Sequence, residues 1–258
     1  VKNLSGKEFV KDKSSLLVVL VDKSAKKNKL LIHMDKVTKG SLFKSINSFM
    51  KSKAKSLNLQ SPDGVSSKEV LLMKTPEKSN TYLWLDLFKS ISKIANSLGK
   101  QDISVMFACK CPDGKDESWL TEVCCRQIEA SAYIFGSSKN KTVVKPSLKK
   151  ASIIASSVTS SALKKLKTSA KVGFAVGEAM NAAKHLGDMP ANLCTPRIIE
   201  RKVKALKKPF PKLKISTFNE KDLAKLKMGS FLSVGRGSDE PSRTVSYTHL
   251  TLPTTYSV

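Results

Sequence analysis

The side chains with which this chain could do chemistry are few. There are five cysteines, three histidines and a thin set of acids. Cys109-x-Cys111 followed by Cys124-Cys125 hints at a metal cluster, but the spacing is not that of paired C-x-x-C knuckles. Cys109 ends an apolar, strand-like run and Cys124 falls on a helical apolar face, so both read as buried free thiols. An odd cysteine count, with Cys194 left over and no charged-then-apolar leader at the start, fits a reducing compartment. His33, His185 and His249 are too scattered to assemble a Ser-His-Asp or Cys-His arrangement. Gly235-Arg-Gly237 lacks the third glycine of a dinucleotide loop, and Gly99-Lys100 lacks the upstream glycine of a phosphate loop. Past Leu206 the acids are Glu220, Asp222, Asp239 and Glu240. The first pair reads as first-turn helix acids beside the dipole, the second as a loop before Pro241. Lys184 and His185 read as helix-surface residues. On these grounds no catalytic, metal-ligating or cofactor-binding residue is assigned.

The elements that would position such groups alternate. Leu16–Val21 is a buried strand by its continuous apolar run, and Lys29–His33 is a candidate partner strand. Ser41 is expected to cap a helix whose Leu42, Phe43, Ile46, Phe49, Met50 and Ala54 form one stripe. Ser61-Pro-Asp-Gly64 is a turn by composition, and Glu69–Met73 a second strand. Ser79 or Asn80 caps a helix in which Trp84, Leu87, Phe88, Ile91, Ile94, Ala95 and Leu98 share a face, with Gly99 at the C′ position. Ile103–Cys109 is a strand, Trp119–Ile128 a helix, 137–150 a lysine-rich loop, and Ala151–Ala155 a strand. Ser160–Leu186 is the longest helical pattern. It contains Gly173 and Gly177, which either permit close packing or are merely tolerated. Then come helix Pro196–Leu206, strand Leu213–Ser216, helix Glu220–Leu226 and strand Ser230–Val234. This alternation predicts an α/β fold in layers with a mainly parallel sheet. Val18, Leu20, Leu71, Val105 and Ile154 are expected in the central sheet of a compact domain over Lys2–Thr159.

The 258 residues carry 46 Lys+Arg against 21 Asp+Glu, a formal net charge of +25. Such a field favours nucleic acid, anionic membranes or acidic proteins. Yet only five of the bases are arginines, the preferred fork for phosphates and bases, and the lysines are spread along the chain. A lysine-biased solvated surface and a nucleic-acid face both remain open. Aromatics at 6% disfavour a stacking platform. The longest apolar run is far shorter than the ~20 residues of a membrane helix, so a soluble, cytoplasmic protein is expected.

Gly173–Pro241 carries a denser pattern: Ala183-Lys184, Leu186, Asp188, Pro190, Asn192, Thr195-Pro196, Met228-Gly229, Phe231-Leu232, Val234-Gly235 and Gly237-Ser238. This resembles the leucyl aminopeptidase family, the cytosol-type two-metal aminopeptidases. Its pattern runs A-[KR]-x-L-x-[ND]-x-P-x-N, then T-P, then a strand entry M-G-x-[FY]-L-x-V-[GN]-x-G-S. The resemblance implies an N-terminal accessory α/β domain (1–158), a linking helix (159–186) and the start of a catalytic α/β domain (187–242). It further implies removal of N-terminal residues from peptides with two divalent ions (Mn, Zn or Mg), hexamers, and in some members DNA contact through the basic N-terminal half. The family's metal-ligand segments, V-G-K-G-x-x-F-D-[ST]-G-G and N-T-D-A-E-G-R, do not occur here. The chain is therefore expected to be the N-terminal portion of such an enzyme, holding no metal and inactive by itself. The rival reading is a basic DNA-binding or assembly module without chemistry. The region 192–239 is expected to be poorly stable alone. No lysine follows Lys227, and Val245–Val258 resembles translated adapter DNA, so 243–258 is expected to be foreign and unpacked.

Overall fold

The structure, a computed structural model, describes residues 1–60, 62–76, 80–136, 146–156 and 158–248. It divides into two compact units, residues 1–184 and the part from His185 onward.

The first unit runs β1 (Lys2–Leu4), α1 (Gly6–Val10), β2 (Leu16–Val21), α2 (Lys29–Val37), α3 (Ser41–Lys51), β3 (Ser56–Gln60), β4 (Glu69–Lys74), α4 (Thr81–Ser97), β5 (Asp102–Ala108), α5 (Glu117–Ala130) and β6 (Lys150–Ser156). It is closed by α6 (Ser160–Asp188), which continues past Lys184. Among the described residues the strands form a six-stranded sheet in the order β1-β6-β5-β2-β4-β3. All neighbours are parallel except the β3–β4 pair. The physical reason for the unbroken apolar run in β2 is its position. Every one of its six residues is buried. Leu17, Val19 and Val21 face a core built with Phe9, Leu31, Met34, Ile46 and Phe49 of α1, α2 and α3. Leu16, Val18 and Leu20 face a second core with Trp84, Phe88, Ile91, Leu120 and Val123 of α4 and α5. A strand covered on both faces loses the alternation of a half-exposed one. The expected central residues meet in register: Val18 stands beside both Leu71 and Val105, and Met106 beside Ile154.

Local signals explain the ends. Asn80 caps α4 by accepting from the Tyr82 amide; Ser79 lies outside the described residues. Gly99, at φ +64°, ends the helix. Its N–H donates to Asn96 O and that of Lys100 to Ala95 O, a Schellman closure. One strand expectation for this unit fails, and two strands were not foreseen. Lys29–His33 is not a strand but the start of α2, because the Asn28 side chain accepts from the Leu30 and Leu31 amides and nucleates a helix. Leu30, Leu31 and Met34 then share its buried face. The edge strand β3 is half-exposed and lacks an apolar run, and β1 is only three residues long. Of the proposed turn, Pro62, Asp63 and Gly64 are described; of the lysine-rich loop, 137–145 lies outside the described residues.

The glycines of α6 are required rather than tolerated. A Cβ at Gly173 would stand 2.1 Å from Glu122 O, and one at Gly177 would stand 2.9 Å from Arg126 O. Both glycines are buried, so α6 lies backbone-close on α5.

The second unit comprises the end of α6, α7 (Pro196–Ala205), β7 (Lys214–Phe218), α8 (Glu220–Lys225), α9 (Gly229–Gly235) and β8 (Thr244–Thr248). The strand expected at Ser230–Val234 is a helix, α9. Met228 occupies its N-cap, and Gly235 stands close to Ser242, whose Oγ would lie 2.0 Å from a Cβ at that glycine. The expectation that residues from Arg243 onward are unpacked also fails over Arg243–Thr248, the part of that tail among the described residues. β8 pairs antiparallel with β7, from Lys214 opposite Thr248 to Phe218 opposite Thr244. The residues after Thr248, His249 included, lie outside the described ones. No helix among the described residues is long and apolar enough to cross a membrane.

Candidate functional site

The family-like pattern occupies the end of α6 and the second unit. Ala183, Lys184, Leu186 and Asp188 lie on α6, Thr195-Pro196 form the N-cap and first residue of α7, and Met228 to Gly235 build α9. Pro196 fits that first position because its missing N–H has no helical partner there.

Each acid of this unit with a resolved partner serves the fold. Glu200 sits between Lys204 Nζ (2.6 Å) and Arg243 Nε (3.0 Å). Its hydrogen bond with Lys204 holds its carboxyl below the usual range. Glu220 Oε1 accepts from the Ser242 amide at 2.9 Å. Asp222 closes a capping box with Asn219 at the start of α8. Glu240 receives a two-pronged contact from Arg197, at 3.0 and 3.2 Å. The sequence expectation placed Glu220 and Asp222 in a first helical turn, and the structure does the same. It does not foresee that Glu240 and Glu200 tie the segment around Ser242 and Arg243 to α7. Among the described residues no three His, Cys, Asp or Glu side chains come together as a metal centre.

Lys184 is more than a surface residue. Its Nζ donates to Ala130 O at 2.5 Å and stands 5.7 Å from the Tyr133 ring centroid. Asn181 Nδ2 donates to Glu129 O at 2.9 Å. Both carbonyls belong to the last turn of α5, where a helix leaves acceptors unpaired and favours a cation. The signal available in the sequence was the spacing: Asn181 and Lys184 are three apart and share a face with Gly177.

The thiols sit mainly around β5 and α5. Cys124 is fully buried, and Cys109, Cys111, Cys125 and Cys194 are half-buried. Burial pushes the Cys109 thiol up, helped by Asp22, Cys111 and Glu117. Burial lifts Cys125 to about 11 against the opposing pull of the Val1 ammonium. A thiol kept protonated at neutral pH is a poor nucleophile and a poor metal ligand. Cys109, Cys111 and Glu117 do line one small cavity, of about 160 Å³, at the carboxyl ends of β5 and β6. Burial raises the Glu117 carboxyl as well, with Asp116 adding to the effect.

Comparison with known proteins agrees with the pattern. Residues 181–254 match the catalytic domain of the cytosol aminopeptidase family. A "probable cytosol aminopeptidase" of Aromatoleum aromaticum is 33% identical over 160 residues, covering 62% of this chain and 32% of that protein. Another, of Alkalilimnicola ehrlichii, is 45% identical over 74 residues, covering 29% of this chain and 15% of that protein. The chain thus spans about a third or less of the length of these curated relatives. Among solved structures, a tomato leucine aminopeptidase mutant superposes with a TM-score of 0.69 at 19% identity, covering 94% of this chain and 49% of that one. The bottromycin maturation enzyme BotP in complex with Mn gives a TM-score of 0.64 at 15% identity, over 91% and 45%. These two show a shared fold. Pattern, matched catalytic-domain segment and curated relatives converge on one family: residues 181–254 match the catalytic domain of the cytosol aminopeptidases, and the chain is similar to members of that family.

Proposed function

We propose that this chain is the N-terminal portion of a metal-dependent leucyl aminopeptidase, an enzyme that removes N-terminal residues from peptides in the cytoplasm. The observation that carries the reading is the match of residues 181–254 to the catalytic domain, joined by α6 to an α/β unit of the kind found in leucine aminopeptidase. In this reading 1–158 is the accessory domain, 159–186 the linking helix and 187–242 the opening of the catalytic domain. Whether 243–258 is foreign is a question of origin, separate from the packing of β8.

The complete enzyme would use two divalent ions, manganese, zinc or magnesium. The residues present here do not fit such a site. The Glu200, Glu220, Asp222 and Glu240 carboxylates are each held by a structural partner. Two-metal hydrolysis instead needs several oxygen ligands converging on ions ~3.5–4 Å apart. The chain by itself is therefore expected to be inactive. The test is hydrolysis of leucine p-nitroanilide with added manganese or zinc, for this chain and for a longer gene product carrying both ligand segments. Turnover by the longer product alone supports the reading. Turnover by this chain above a metal-only blank overturns it.

Hexameric assembly and DNA contact through the basic N-terminal half belong to the same proposal. The charge of +25 favours the second. A gel-shift titration across salt tests it, because phosphate contacts make log affinity fall steeply with log salt.

A further inference from the structure

A larger cavity, of about 620 Å³, opens in the first unit at the amino-terminal end of β6, walled by α4, α5 and α6. That is ordinary size for a small-molecule site. Much of its lining is apolar: Ile128 is buried, Leu148 and Ala170 are half-buried, and Phe174 stands 49% exposed at the lip. Cys125 also faces it.

Val1, Ser92 and Asn96 also line it, and four exposed lysines ring it, Lys149 and Lys150 at the start of β6 and Lys167 and Lys171 on α6. Lys167 and Lys171 lie four apart on one helix face, a spacing at which like charges repel. Among the described residues none of the four forms an ion pair. Their helix neighbour Lys165, by contrast, is paired with Asp116. The acid in the lining is Glu129, whose carboxyl is pushed up by burial and by Glu178. It is a weak counter-charge for four ammonium groups.

An apolar cavity ringed by uncompensated cations matches a ligand with an apolar body and one anionic end. Inorganic phosphate would leave the apolar walls wet. A neutral hydrocarbon would leave the lysines uncompensated. We propose that this cavity binds the anion of a medium-chain fatty acid, its alkyl chain against Ile128, Leu148 and Phe174 and its carboxylate among Lys149, Lys150, Lys167 and Lys171. The site lies wholly within residues 1–184 and does not depend on the aminopeptidase reading.

Cys125 supplies the reporter. The full chain is alkylated with and without decanoate below its micelle concentration, and modification is read at each cysteine by mass spectrometry. Decanoate should slow alkylation of Cys125 at least tenfold and leave Cys194 unchanged. Calorimetry should show Lys167→Gln/Lys171→Gln weakening decanoate at least fivefold. The control pair Lys26→Gln/Lys27→Gln, distant in sequence and absent from the lining, should leave binding unchanged, and all variants should keep the parent circular dichroism. Three results overturn the proposal: no protection of Cys125, decanol binding as well as decanoate, or equal weakening by the control pair. The last would mean general attraction to a basic chain.

Discussion

A methyl group added at Gly173 would stand 2.1 Å from a backbone oxygen of α5, and backbone cannot swing aside as a side chain can. Two effects oppose each other in Gly173→Ala. Helix propensity favours alanine by ~1 kcal/mol. Overpacking costs about 1–3 kcal/mol, and a contact with main chain belongs at the upper end. We expect a net loss of about 2 kcal/mol in urea unfolding. Gly187, on the same helix, has nothing within 4 Å of its Cβ position. Gly187→Ala should therefore be neutral or stabilising by up to about 0.5 kcal/mol. Asp12 gives a pH signature. Its side chain is nearly buried and pairs with Lys2 Nζ at 2.5 Å. Burial raises its carboxyl, but hydrogen bonds from Lys2, Ser14 and Ser104 outweigh that and leave it lowered. A lowered folded-state pKa stabilises above the unfolded value, near 3.9, and that stability is lost as pH falls through the folded value. Melting temperature should thus fall below about pH 4 in the parent. Asp12→Asn, already lacking the charge, should be less stable at pH 7 and show a flatter acid limb.

At the scale of elements, β8 is where expectation and structure part most sharply. Because β7 and β8 pair, ending the chain after Ser242 removes the partner of β7 and the Arg243 contact to Glu200. Hydrogen exchange should then lose protection across Lys214–Phe218, whereas an unpacked tail would leave those amides unchanged. The tail was illegible because its partner lies 30 residues upstream: an exposed two-stranded ribbon buries too little apolar surface to mark itself in the pattern. The six-stranded sheet was legible for the opposite reason. β2, β4 and β5 are buried on both faces and must be written in aliphatic residues whatever surrounds them. Lys29–His33 and Ser230–Val234 were misread because a short apolar run has no period. The side-chain cap at Asn28 decides the first. At the second, Met228 and Gly229 open a helix without a side-chain cap bond, so the sequence offers no signal there. Of the Lys184 clamp the sequence records only the spacing of Gly177, Asn181 and Lys184, because the acceptors are carbonyls of α5 some 50 residues back.

The whole molecule joins an α/β unit built around a buried sheet to a smaller unit with few buried side chains: α7 and α9 bury none, and α8 buries Leu223. Unfolding should accordingly show two transitions, the part from His185 onward melting first, which differential scanning calorimetry would separate. One transition at all pH values would refute this. The sheet also sets a clock. β1 at Lys2–Leu4 is hydrogen-bonded to β6 at Ile154–Ser156, although 152 positions separate them. On a ribosome adding ~5–20 residues per second, the first strand waits on the order of 8–30 s before its neighbour exists. During that wait the flank of β5 that β6 will cover is also open, and unpaired strand edges recruit other chains. Nascent copies on one message, carrying the same exposed edges at the same moment, are the neighbours each is most apt to meet.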